Sequence, residues 1–286
     1  MNNWKNIYYL IMKEEINKKY LKEKQYKSTK YLEARIKIHQ FTKNKIGFHE
    51  WIFDQYDFSE FEKENNEIKI LDVGCGTGVF WKKNINNFKK YKLDITFTDA
   101  TEAMVEKEKI NTAELVAKKK YEIADIDNLE KYKNQFDIVF CHNVVYHAGD
   151  KEKSIKNLKD CLNDKPSSFC SITTNSEKHM LNVYEIGRNL DKNFPTDRII
   201  DSFTEEIADK MLPKFFKIEK KIEEEELRVT DWEILMGFVA SGVEPRGINL
   251  VDNFWDEYKK IYDQEFKKNG YFKIIKRSPL YICKKN

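Results

Sequence analysis

Arginine is scarce in this chain. Of 51 basic residues only six are arginine (Arg35, Arg188, Arg198, Arg228, Arg246 and Arg277), and 48 acidic residues leave a net charge of +3. Proteins that read nucleic acid usually combine clustered arginine with a clear basic excess. Here lysine and glutamate are interspersed, the pattern of a solvated surface, which argues against a dedicated nucleic-acid role. Paired cysteines are also missing. The five present (Cys75, Cys141, Cys161, Cys170 and Cys283) have no spacing suited to zinc, a redox dithiol or a disulfide framework. Nor does any apolar run approach the roughly 18 residues of a membrane span. Near the start, Trp4, Ile7, Tyr8, Leu10 and Ile11 are interrupted by Lys13, Glu14 and Glu15, which matches no secretory signal. These absences predict a cytoplasmic chain with no membrane partner and no metal centre.

What is present is a mixed pattern. At 286 residues and 41% hydrophobic content, the chain suffices for one large domain with elaborations or two small ones. Apolar spacing predicts helices over 1–25, 31–41 and 48–53, followed by an acidic linker over 60–67. Strands over 68–73, 93–98, 121–124, 136–141 and 167–173 then alternate with helices, one of them opening at Thr101 as N-cap. Such alternation predicts a doubly wound α/β sheet. Further on, helices are expected over 177–190, 204–213, 230–240 and 251–268, with a charged strand over 215–229. Residues 271–275 and 280–283 read as a closing hairpin or strand pair across Ser278-Pro279. With no repeat and no low-complexity linker, these pieces are expected to decorate one domain.

The most informative stretch is Ile68-Lys69-Ile70-Leu71-Asp72-Val73-Gly74-Cys75-Gly76-Thr77-Gly78. A buried strand runs into three glycines in five residues, and a helix pattern follows. Glycines there permit a sharp turn and let a ligand approach the backbone. The dinucleotide fingerprint fails, because the sixth position counted from Gly74 is Val79. A phosphate-binding loop fails too, since the nearest lysine, Lys82, lies outside the turn. Acidic residues end the next strands. Asp99 is placed to accept the hydroxyls of a ribose, Asp125 to accept an adenine amino group, and Asp72 to meet a cationic amine. A ligand with ribose, adenine and ammonium but no phosphate is S-adenosylmethionine.

In order and spacing, LDVGCGTG, FTDATEAMV, the Asp125 region and FDIVFCHNVVYH resemble the class I S-adenosylmethionine-dependent methyltransferases. The likeness covers residues 68–147 and extends to about 175. Segments around Tyr31–His39, Thr173–Asn175 with His179 and Met180, and Leu227–Asp231 look like a bacterial branch with unassigned or small-molecule substrates. The resemblance implies a mostly parallel, seven-stranded Rossmann-like sheet with a helical N-terminal lid (1–66) and a methyltransferase domain (67–286). Within the latter, the core would be 67–175 and the cap elements with the final strands 176–286. It implies that Gly74, Gly76 and Gly78 contact the methionine part and Asp72 its amino group. Asp99 would hold the ribose, with Ala100 and Met104 near the adenine. Asp125 would take the adenine amino group beside the Ile126 N–H, and His142 would pass near the reaction centre. One departure is Asn163-Asp164-Lys165-Pro166-Ser167, where the family usually has a Pro-Gly turn.

Several residues admit a plain reading beside a functional one. His142 and His147, with Tyr146 between them, sit on a strand-to-helix connection at the carboxyl edge of the sheet. They serve either packing or the acceptor pocket, where one of the three would be a catalytic group. Asn175 and His179 after the fifth strand are candidates for substrate contact. Arg35 and His39, one helical turn apart, are candidates for the same pocket. The expected activity is methyl transfer from S-adenosylmethionine, yielding S-adenosylhomocysteine, to an O, N or C atom of a small molecule in a closed pocket. An RNA or protein acceptor and a non-catalytic cofactor-binding protein are the alternatives.

Overall fold

The computed structural model describes residues 30–64, 66–195 and 198–286; the helix expected over 1–25 lies outside them. The helices in chain order are α1 (Lys30–Lys37), α2 (Phe48–Asp54), α3 (Ser59–Glu64), α4 (Val79–Phe88) and α5 (Glu102–Asn111). They continue with α6 (Lys151–Cys161), α7 (Leu181–Leu190), α8 (Glu205–Met211), α9 (Trp232–Val243) and α10 (Phe254–Asn269). The strands are β1 (Ile68–Val73), β2 (Leu93–Asp99), β3 (Lys118–Ile123), β4 (Ile138–His142), β5 (Phe169–Thr173), β6 (Phe216–Val229) and β7 (Phe272–Lys285). They form one sheet in the order β3-β2-β1-β4-β5-β7-β6. The ladders among β1 to β5 are parallel, and β7 runs antiparallel to β5. The chain divides into two compact units.

The larger unit holds residues 44–179, 199–224 and 277–286. Its central strands alternate between two cores because successive side chains leave opposite faces of a strand. Ile70, Ile138, Phe140 and Leu280 join Phe80, Trp81 and Phe88 of α4 on one side. Leu71, Val73, Val139, Cys141, Cys170 and Tyr281 join Ile155 and Leu158 of α6 on the other. Strands buried on both faces read as near-continuous apolar runs, which is why β1 and β4 were legible. After β3 the chain returns to the far side of β1 to make β4, so strand order reverses between β1 and β4. The carboxyl ends of the strands at such a reversal are the usual ligand position in open α/β sheets.

The second unit, described from residue 30, holds residues up to 43, 180–198 and 225–276. Its core gathers Ile38, Val183, Leu227, Val229, Leu235, Phe254, Tyr258 and Phe272. Within it α1 packs on α9. Tyr258 donates its hydroxyl to the Val183 carbonyl at 2.9 Å, tying α10 to α7.

Four local expectations are corrected. The acidic stretch after residue 58 begins with helix α3, because Phe61 buries one face against Phe58, whose ring in turn meets Phe88. Strand β3 starts at Lys118 rather than 121; it is an edge strand carrying exposed lysines, a pattern that hides a strand from an apolar search. The expected closing hairpin is one continuous strand, β7. Its ladder with β5 spans Cys283 to Leu280 and stops just short of Pro279, whose missing N–H is therefore not needed there. Finally, Thr101 makes no side-chain cap to its helix; its hydroxyl instead donates to Asp99 Oδ1 at 3.0 Å.

Candidate functional site

The turn after β1 is shaped by three glycines that all have positive φ: 70° at Gly74, 58° at Gly76 and 75° at Gly78. Their surroundings differ. A side chain on Gly74 would meet Val144, from the connection after β4, at 2.4 Å. One on Gly78 would meet the Glu108 carboxyl at 2.1 Å. One on Gly76 would have nothing within 4 Å. The turn is thus packed at both ends and open in the middle, a cradle for a ligand that touches backbone. Its conformation is held by Cys75 N–H to Thr98 O (2.9 Å) and by Gly78 N–H to Cys75 O (3.1 Å).

Asp99, at the end of β2, borders this opening. Its Oδ2 accepts the Gly76 N–H at 3.1 Å, and its Oδ1 accepts the Thr101 N–H and hydroxyl, both at 3.0 Å. Burial raises its proton affinity, and these bonds oppose the rise. Ala124 N–H donates to the Asp99 carbonyl at 3.0 Å, which brings the end of β3 alongside. There Asp125 Oδ1 accepts the Asp127 N–H at 3.1 Å. Ile126 is buried, as is Met104 on α5, whereas Ala100 is half-buried. Asp72 lies deeper. Its Oδ2 accepts the Trp81 indole N–H at 2.7 Å, so one oxygen is already engaged. Burial lifts its carboxyl to about 7, the Trp81 bond offsets part of that, and nearby Asp99 adds to it.

His142 ends β4 inside an aromatic wall. Its ring lies against Phe80 and Phe140, with centroids 5.0 and 5.2 Å away. Nε2 is 3.1 Å from the Tyr56 hydroxyl and 2.9 Å from Ser171 Oγ, and those two oxygens are 2.7 Å apart. Burial, with a smaller contribution from His49, lowers its pKa to about 3, so the imidazole is neutral. Tyr146 and His147 form a 3-10 turn with their rings 4.6 Å apart, and the Tyr146 carbonyl accepts from Ser202.

Asn175 and His179 contact the last strand. Asn175 Oδ1 accepts the Ser278 hydroxyl at 2.9 Å, and His179 Nδ1 sits 3.3 Å from the Arg277 backbone N. Arg35 and His39 belong to the other unit. Among the described residues no cluster of three or more His, Cys, Asp or Glu is arranged to hold a metal, and no helix is long and apolar enough to cross a membrane.

Sequence reasoning passed over Tyr56, Ser171, Trp81, Asp127 and Glu108. Asp127 accepts the Gly149 N–H at 3.0 Å and the Ser154 hydroxyl at 2.6 Å, bracing the start of α6. Glu108 had a visible signal: it follows Met104 by one helical turn and so shares its face. Tyr56 and Ser171 are far apart in sequence and meet His142 only through the sheet. A separate groove of about 620 Å³ opens at the opposite, amino-terminal ends of the strands, where Lys69, Asp94, Lys120 and Asp137 line it.

Residues 71–165 match the family model described as a methyltransferase domain. The chain is 26% identical to the tRNA U34 carboxymethyltransferase of Campylobacter jejuni, over 71% of this chain and 69% of that one. It is 25% identical to malonyl-[acyl-carrier protein] O-methyltransferase 2 of Ilyobacter polytropus, over 71% of this chain and 79% of that one. The solved structure of YcgJ from Bacillus subtilis shares the fold, with a TM-score of 0.52 at 14% identity, covering 80% of this chain and 98% of that one.

Proposed function

From the premise that this chain is a class I S-adenosylmethionine-dependent methyltransferase, we propose that it transfers the methyl group to an O, N or C atom of a small molecule, with Gly76 and Asp99 seating the donor. One observation carries this reading: Gly76 faces open space while its N–H is held by the Asp99 carboxylate. The residues present fit S-adenosylmethionine, since the cradle offers bare backbone and carboxylates and, among the described residues, no lysine or arginine suited to phosphate. Bound there, that cofactor supplies an electrophilic methyl group on a cationic sulfur.

What the protein contributes is placement. Gly74, Gly76 and Gly78 receive the methionine part, and the second oxygen of Asp72 faces its ammonium. Asp99 takes the ribose hydroxyls, with Ala100, Met104, Asp125 and Ile126 around the adenine. His142, neutral and fixed by Tyr56 and Ser171, keeps one wall of the site rigid near the reacting carbon. Tyr146 and His147 line the side from which the acceptor enters; the His147 imidazole can take a proton if the acceptor must lose one, and the Tyr146 hydroxyl can orient it. Asn175 and His179 are proposed as outer contacts of the acceptor.

A small acceptor is favoured because several surface lysines of the larger unit are paired with acids. Lys90 pairs with Glu62, Lys118 with Glu67 and Lys165 with Asp137, each at 2.7 Å. A track for a phosphate backbone needs uncompensated cations. The second reading, an RNA acceptor, is favoured by the name of the Campylobacter relative. Calorimetry with S-adenosylmethionine tests the donor; absence of binding overturns the reading. Transfer of labelled methyl to a metabolite panel and, separately, to unmodified tRNA decides the acceptor. Label in tRNA alone overturns the small-molecule assignment.

A further inference from the structure

Helix α5 buries Met104 and Val105, as an amphipathic helix should, but it also buries Glu108 completely. Neither carboxyl oxygen of Glu108 has a hydrogen-bond partner among the described residues. An unmet buried carboxyl is strongly unfavourable and calls for an explanation beyond packing. Its position suggests one. The carboxyl group presses on the glycine turn, with its three outer atoms 2.1–2.9 Å from where a Gly78 side chain would begin.

The groups facing Glu108 are almost all acidic. Asp72 comes from β1, Cys75 from the turn, Asp99 from β2 and Tyr121 from β3. Lys109, on the same helix, lies over the outer side of the Tyr121 ring. Lys82 of α4 reaches Asn111 instead. Three carboxyls thus converge on one turn from β1, β2 and α5, and among the described residues no cation is bonded to any of them. Burial, then Asp72, then Asp99 push Glu108 up to about 9, and Asp72 stands near 7. Such a set holds protons until a positive charge arrives.

We propose that Glu108 is a specificity-determining residue of the methyl-donor seat: it ionises when a cationic ligand lies on the glycine turn, and so favours the sulfonium donor over its neutral-sulfur product. The inference rests on the methyl-donor reading above. S-adenosylmethionine and S-adenosylhomocysteine share the ammonium and the carboxylate and differ in the sulfonium charge and its methyl group. The donor therefore binds with loss of the Glu108 proton to solvent, leaving a carboxylate opposite a cation. Once the methyl has moved to the acceptor, the sulfur is neutral. The carboxylate then loses its counter-charge and takes a proton back from solvent, and the product is held less tightly. Gly78 is the contact through which Glu108 acts, so it is a positioning residue and does not touch the reacting carbon.

The test is calorimetry of both ligands at about pH 8 in two buffers of different ionisation enthalpy, which counts protons exchanged on binding. The wild-type chain is expected to release clearly more protons with S-adenosylmethionine than with S-adenosylhomocysteine. The Glu108→Gln variant keeps the shape of the neutral acid and cannot ionise. It is expected to equalise the two counts and to lower the donor-to-product affinity ratio roughly threefold to tenfold, the scale of one partly screened charge interaction. Glu108→Asp should retain part of the difference. Equal proton counts for the two ligands in the wild type overturn the proposal without any variant. An unchanged difference in Glu108→Gln overturns the assignment to this residue. If neither ligand binds the wild type, the donor reading itself has failed, which is a distinct result.

Discussion

Trp81 donates its indole N–H to Asp72 at 2.7 Å, joining the first turn of α4 to the last turn-facing carboxylate of β1. Both side chains are buried, so the bond holds the carboxylate in place and restrains its rise in proton affinity. Trp81→Phe should therefore destabilise the chain by about 1–3 kcal/mol, the range for an unmet buried polar group. It should also weaken S-adenosylmethionine binding at neutral pH, because Asp72 would then carry a proton more of the time. Urea unfolding and calorimetry measure the two effects; unchanged values for both would remove Asp72 from the proposed site.

Gly76 and Gly78 should respond differently to alanine. Both have positive φ, which strains any residue with a Cβ by about 1–2 kcal/mol. At Gly76 the added methyl enters open space, so stability should fall only by that strain while donor binding is lost. At Gly78 the methyl meets Glu108 at 2.1 Å, and stability should fall further. Gly78→Ala combined with Glu108→Ala should recover part of the loss, and a thermal-unfolding double-mutant cycle measures the coupling.

Asp99→Ala should weaken S-adenosylmethionine binding about tenfold to a hundredfold, the scale of hydrogen bonds to a charged group. His147→Ala should change donor affinity far less. Equal losses measured by calorimetry would contradict the proposed roles.

Stability should vary with pH in two opposite ways. Glu108 is raised to about 9 in the fold from its ordinary value of 4.5. Between those values the folded chain keeps a proton that the unfolded chain has released, so stability is fully present below the lower value and declines as pH rises through the window. Asp72 acts in the same direction between 3.8 and about 7. His142, lowered from 6.5 to about 3, does the reverse: its contribution is present above 6.5 and is lost as pH falls toward 3. Urea midpoints across this range should show Glu108→Gln gaining on the wild type as pH rises. A constant offset would mean that Glu108 does not titrate between the two values.

By itself the sequence determined the alternation of strands and helices from β1 to β5, the position of the glycine turn, and the aspartates at the ends of β1 and β2. These are local: an apolar run, three glycines within five residues and a carboxylate after a strand need no distant partner to be recognised. The likeness to the methyltransferase family came from the same stretches. Tertiary structure alone decided what each of these groups meets. Tyr56, His142 and Ser171 converge because β4 and β5 pair in register and α2 leads Tyr56 onto them. In the sequence Glu108 was marked only by sharing a helical face with Met104, on a lysine- and glutamate-rich helix. Only the packing of α5 beside the turn turned it into a buried carboxyl against Gly78, since burial and the approach of remote charges belong to the folded chain.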